Sequence, residues 1–203
     1  MLTRQRLTYN DLLAIPNDEN LHELVRGEIV RMPPPKGKHG RIKARLVEGI
    51  GRYLHQRALS QGWTEAQGFD QRDLLVGCVV GGEFGIRFAL PDDPDQVRGL
   101  DVGYLSPEQV ARHEAFGSDE YFPEAPILVA EVISASESAN YINEKVTDFL
   151  AGGAKVVWLL YPRTQVIQIY RPNRTMHTLT SAEQIDGGDL LPGLSIAVAS
   201  LFR

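Results

Sequence analysis

The chain has 203 residues, 43% of them hydrophobic and 23% charged, with a net charge of -5 and one cysteine, Cys78. These values fit an ordinary globular protein with a substantial core, and they place residues 1–203 in a single domain. They exclude a protein that coats nucleic acid by bulk charge, though not one with a local basic groove. A lone cysteine excludes a disulfide framework and favours a reducing compartment. The opening MLTRQRLTYNDLLAIP lacks the apolar stretch of a signal peptide. The longest apolar runs, ILVA and VVWLLY, are too short to cross a bilayer. The expected location is cytoplasmic, with no membrane partner.

TYNDLLAIP reads as a short helix stopped near Pro16. HELVRGEIVRM gives two extended segments around Arg26-Gly27, a hairpin. Pro33 to Pro35 form a stiff connector. The longest helix is expected from about His39 to Ser60, where Ile42, Leu46, Ile50, Tyr53 and Leu54 share one apolar face. Trp63 to Leu90 reads as strand: DLLVGCVV, a turn at Gly81-Gly82, then EFGIRFAL. The Asp-rich stretch Pro91 to Pro94 reads as a loop, and LDVGYL as a short strand.

ILVAEVI, Ile127 to Ile133, is a buried strand by composition, followed by a helix from Asn140 to Ala151 that ends at Gly152-Gly153. KVVWLLY is a second buried strand. Strand, helix, strand implies a parallel crossover if both strands share a sheet. QVIQIYR and TMHTLT look antiparallel, DGGDLLPG is turn-rich, and LSIAVASLF closes the chain. The fold class is α/β, a mixed sheet flanked by helices with hairpins at both ends.

Two carboxylates interrupt these apolar strands. The period of two puts Glu131 on the face of Ile127, Val129 and Ile133. An unpaired carboxylate there costs several kcal/mol, so something must compensate it. Asp101 heads the short strand LDVGYL. Two carboxylates on neighbouring strands can converge on one divalent cation, and oxygen ligands completed by water and phosphate suit magnesium. On the following helix, Lys145 falls at the border of the stripe formed by Ile142, Val146, Phe149 and Leu150. A border lysine can lay its stem along the core and carry its ammonium back over the sheet. Border lysines also commonly pair with a surface carboxylate, and Asp101 also suits a strand-end turn.

Between Lys36 and Arg57 seven basic residues face one acid, Glu48. Lys38, His39, Arg41 and Arg45 crowd the helix start, where the dipole disfavours cations by up to about 1 kcal/mol each. Approaching phosphate explains them. The competing account pairs Glu48 with Arg45 and Arg52 on a solvated face.

HELVRGEIVRMPPP with His39, LDVGYLS, APILVAEVISASES, EKVTDFLAGGAKVVWLLYPRTQVIQIYRP and DGGDLLPGLSIAVASLF occur in this order. The ordered set resembles the Uma-two family, a large bacterial group with a restriction-endonuclease-like fold in the PD-(D/E)xK nuclease superfamily. The resemblance implies that Asp101 is the acid that follows a proline in the family, here replaced by Leu100. It implies that Glu131 is the acid of the (D/E)xK element. Ile133 stands where that element has its lysine, and Lys145 matches a family lysine on the next helix that would supply the ammonium instead. SASES replaces the usual SPS after the strand.

The implied function is a metal-dependent endonuclease acting on DNA, with Asp101 and Glu131 holding Mg2+ or Mn2+ and Lys145 serving the reaction. Glu23, on the first hairpin, is a weaker third acid. Double-strand cleavage needs two sites, which favours a homodimer by analogy. Two other readings compete: a DNA-binding relative with a relict site, and a structural or oligomerisation module in which Glu131 and Lys145 form a buried ion pair. Convergence of Asp101, Glu131 and Lys145 in one cleft separates the first from the last.

Overall fold

A computed structural model describes residues 6–16, 18, 20–32, 37–116 and 121–203. The connector Pro33 to Pro35 lies outside the described residues. The chain begins with α1 (Tyr9–Leu13), then the hairpin β1 (Leu21–Val25) and β2 (Glu28–Met32), then the long α2 (Gly37–Ser60). A 3-10 turn leads into α3 (Gly68–Val76). Two long strands follow, β3 (Cys78–Leu90) and β4 (Asp93–Leu105), then α4 (Pro107–Phe116) and β5 (Leu128–Val132). After α5 (Ala139–Ala151) come β6 (Val156–Tyr161), β7 (Val166–Tyr170) and β8 (Met176–Leu179). β9 (Gln184–Asp186), β10 (Ser195–Ala197) and α6 (Val198–Phe202) end the chain.

Eight strands form one mixed sheet in the order β2-β1-β4-β5-β6-β7-β8, with β3 also paired to β4. β5 and β6 are parallel, joined by the α5 crossover, as the strand-helix-strand reading expects. The terminal hairpins extend this sheet at its two edges, while β9 and β10 pair separately. Two apolar layers cover it. On one face Ile42, Leu46, Ile50 and Leu54 of α2 pack on Val102, Leu128, Ala130, Val132 and Trp158. On the other, Ile142, Val146 and Phe149 of α5 pack on Leu100, Val129, Val157 and Leu159. The alternation within β5 divides its side chains between the two layers, and Glu131 shares the parity of Val129. Ile127 precedes the strand and packs instead against the α2 layer.

Three expectations fail in the middle of the chain. Asp73 to Val76 belong to α3, not to a strand. A run of Leu-Leu-Val fits either state, and length and flanking glycines do not separate them. Gly81-Gly82 is no turn: β3 runs on through it with a register shift between Gly81 and Phe84. The Asp-rich loop is also shorter than expected, since β4 begins at Asp93. Asp101 therefore lies well inside a thirteen-residue strand instead of at the head of a short one.

Gly77 joins α3 to β3 at φ +81°, and a Cβ there would lie 2.3 Å from the Leu105 carbonyl oxygen. Gly77→Ala is therefore expected to destabilise the protein by more than about 1 kcal/mol, read from urea unfolding, because both the conformation and the space demand glycine.

Candidate active site

β4 changes partners along its length, and this creates the site. Its C-terminal half pairs with β5 through Val102↔Ala130, Gly103↔Val129 and Tyr104↔Leu128. Nearer its start, Val97 pairs with Leu24 of β1. Asp101 sits at the fork, and continuing the β5 register would set it opposite Glu131. The diverging strands leave a backbone donor on β5 without a ladder partner. The Asp101 carboxylate supplies one: Val132 N–H donates to Oδ2 at 2.7 Å. Glu131 reaches back, its Oε1 3.4 Å from the Asp101 amide.

α5 lays Lys145 over this fork. Its Nζ lies 2.8 Å from Glu131 Oε2 and 3.6 Å from Glu23 Oε1. Lys145 is not a border residue, being only 3% exposed, and Asp101 and Glu131 are 9% and 5% exposed. All three line one cleft of about 950 Å³. The structure thus both gathers the expected triad at a cleft and caps Glu131 with Lys145.

From the other side, α2 brings His39 Nε2 to 3.2 Å and Lys43 Nζ to 3.1 Å from Asp101. The sequence reading counted Lys43 only among the basic residues. Its signal is positional: Leu46, Val47 and Ile50 lie three, four and seven residues on, which places Lys43 beside an apolar stripe. Lys38 lines the cleft with Nζ donating to the Pro162 carbonyl at 3.2 Å. Arg41 is exposed and does not line the cleft. Neither does Arg45, which donates to the Leu201 carbonyl at 3.3 Å. Glu48 pairs with Arg52, as the solvated-face account expects.

Glu23, the weaker third acid of the first hairpin, also lies in the cleft lining. It is buried, accepting from Arg98 Nη1 at 2.9 Å, Tyr141 Oη at 2.8 Å and the Gly99 amide at 3.0 Å. Arg98 also donates to Asp148, which takes Gln96 Nε2 at 2.6 Å. Asp148 lies one turn beyond Lys145 on α5, so a wholly buried polar network fixes that helix against β4 and β1. Neither Arg98 nor Asp148 was legible as a site residue, because their partners come from distant elements.

Charge in the cleft is finely divided. Burial opposes ionisation of Asp101, but the bond from His39, the Val132 amide and Lys43 outweigh it and hold the pKa below the usual carboxylate range. His39 shows the reciprocal effect: burial lowers its pKa, Asp101 outweighs that, and the net shift is upward. Burial pushes Glu131 up to about 7, with Asp101 adding to the effect and Lys145 opposing it. Burial also opposes the charge of Lys145, yet Glu131 and then Glu23 keep it protonated far above neutrality.

A divalent cation fits this donor set. Each carboxylate offers about four lone-pair directions, and the two lysines leave part of that capacity free. Among the described residues, the hydrogen bond to Glu131 Oε1 is the long one from the Asp101 amide at 3.4 Å, and Glu131 lines the cleft with Asp101. Among the described residues no group of three His, Cys, Asp or Glu could hold a metal. The chain would therefore supply two oxygens, with water and substrate completing the shell, which suits magnesium better than zinc.

A mixed sheet with a strand fork, two acids from adjacent strands and a lysine over them define an α/β protein of restriction-endonuclease-like fold. The Uma2 family model, described as "Putative restriction endonuclease", matches residues 9–199, and the chain belongs to that family. Its structure is similar to the crystal structure of a protein from Anabaena variabilis ATCC 29413 described as "a putative nuclease belonging to DUF820". The TM-score is 0.76 at 20% identity, over 97% of each chain. At that identity the likeness carries the fold alone. No curated protein matches the chain. Among the described residues no helix is long and apolar enough to cross a membrane.

Proposed function

We propose that the chain hydrolyses DNA phosphodiester bonds with the help of Mg2+ or Mn2+. The observation that carries this reading is the meeting of Asp101, Glu131 and Lys145 at the floor of one cleft. Asp101 and Glu131 would hold the cation, which supplies Lewis acidity toward phosphate and water. Asp101 stays ionised because His39 and Lys43 brace it. Lys145, fixed between Glu131 and Glu23, directs its ammonium to charge developing on the phosphate or to the attacking water. Lys38, in the lining of the cleft, contacts phosphate, while His39 lines the cleft beside it and serves by holding Asp101. Arg41, exposed further along α2, touches phosphate outside the cleft, while Arg45 is committed to Leu201. A homodimer in the cytoplasm completes the reading, and light scattering checks its mass.

The test is incubation with plasmid and single-stranded DNA, with magnesium, manganese or chelator. Metal-dependent cleavage is expected, abolished in Asp101→Asn and in Glu131→Gln. Manganese should bind weakly without DNA and lose affinity in both variants, as electron paramagnetic resonance would record. A second reading, a DNA-binding relative without catalysis, draws on Ile133 in the motif lysine position and on carboxylates already neutralised by three cations. DNA binding without cleavage under any metal would favour it.

A further inference from the structure

We propose that the cleft takes an unpaired nucleotide, with its base on an apolar wall and its phosphodiester on the polar floor. This rests on the nuclease reading and names its substrate as single-stranded or locally unpaired DNA.

The cleft is divided in character. Its lining includes Asp101, Glu131 and Lys145, from β4, β5 and α5, and Lys38 and His39 from the start of α2. The same lining includes apolar residues at and just past the end of α1, Leu13, Ile15 and Pro16, together with Tyr121; Ile15 and Tyr121 also pack against the cluster of Leu12, Leu24 and Val97. Leu12 already anchors α1 through Leu24 and Val97. The fold therefore does not require an apolar residue at Leu13, which is 58% exposed. A single exposed leucine means little. An exposed leucine that lines the same cavity of about 950 Å³ as Asp101, Glu131 and Lys145, together with Ile15, Pro16 and Tyr121, is different.

Duplex DNA presents charged backbone outward and keeps its base faces stacked inside. It is gripped by a track of cations meeting successive phosphates. This cleft has few cations to spare. Arg31 is held by Asp18 at 2.6 Å, Arg98 by Glu23 and Asp148, and Lys145 by Glu131 and Glu23. His39 is given to Asp101 through Nε2. Among the described residues of the lining this leaves Lys38, which holds only the neutral Pro162 carbonyl, for incoming phosphate, enough for one group. An unpaired strand supplies what the cleft lacks: base faces that can lie on apolar or aromatic side chains, next to a phosphate free to descend to the floor.

The test is fluorescence anisotropy with a short labelled single strand and the duplex of the same sequence. It is run in calcium, on the whole protein and on Leu13→Ser. Leu13 is exposed, so this variant does not threaten folding. Single strand is expected to bind about tenfold tighter than duplex. Its logarithmic salt slope should be about -0.7, as for one phosphate contact. Leu13→Ser should weaken single-strand binding about fivefold and leave duplex binding unchanged. Duplex binding equal to or tighter than single-strand binding would overturn the inference and leave the nuclease reading standing. So would a single-strand preference that Leu13→Ser does not move. Failure to bind either DNA would overturn both.

Discussion

Lys145→Ala is expected to lose cleavage and about 3–5 kcal/mol of stability together, because removing one partner strands buried charge on the other. Had Lys145 stood at the border of its helix, the loss of activity would come with nearly intact folding. Its burial between Glu131 and Glu23 couples the two effects. They separate by pH. With the ammonium gone, the folded-state pKa of Glu131, already pushed up to about 7, rises further above its unfolded value. A carboxyl raised in this way binds its proton more tightly in the folded state. Its stabilising contribution is fully present below the unfolded pKa and is lost as pH rises through the folded one. The variant should therefore be nearer the parent around pH 4.5, where the charge left without the ammonium is that of Glu23, whose pKa is held down and which keeps Arg98. It should fall further away toward pH 8, as urea titrations at several pH values would show. Adding Ile133→Lys should restore part of the activity, since Ile133 also lines the cleft. A variant as stable as the parent at pH 8 would contradict the buried ion pair.

Arg98→Ala is expected to cost up to about 3–5 kcal/mol, because the buried Glu23 and Asp148 lose the guanidinium they share. Asp148 keeps Arg26, which is 40% exposed, at 3.3 Å. The informative comparison is with Arg98→Met and Asp148→Asn, alone and together. Glu23 keeps Lys145 and Tyr141 as partners, so the double variant should recover stability relative to the sum of the singles. A coupling of about 0.5–3 kcal/mol in a thermodynamic cycle is the range expected for neighbours in one network. Strict additivity would mean that Arg98 and Asp148 do not act as a unit.

These two residues also mark where sequence reasoning stops. Glu131 was legible because a carboxylate inside ILVAEVI has to be answered by something, and the periodicity of the next helix put Lys145 within reach. The crossover was legible for the same reason: two apolar runs and one amphipathic helix leave little choice. The first half of β4, DPDQVRG, carries no strand pattern, and its Asp93-Pro94 reads as loop, because its polar residues find their partners only across the fold. Gln96 and Arg98 meet Asp148 from α5, and Arg98 also meets Glu23 from β1. No local pattern encodes such a meeting. Asp148 could have been suspected from its place one turn after Lys145, and Lys43 from its place beside Ile42. In each case a charge on an apolar stripe asks for a partner whose identity lies elsewhere in the chain.

The small cluster that anchors α1 has a further consequence. The floor of the cleft is fixed by the sheet fork, by α5 and by the Arg98 network, whereas the flank bearing Leu13 is held through Leu12, Leu24 and Val97. If the proposed reaction and the proposed substrate hold, chemistry and selection are built from separable parts. Residues 8–16 would then be exchangeable for another segment that keeps apolar anchors at positions 9, 12 and 15. The exchanged protein would retain its carboxylates, its lysine and their spacing while admitting a different substrate. A scaffold divided in this way lets many proteins share one reaction centre and differ in what they accept, with the differences written in a few residues near the start of the chain.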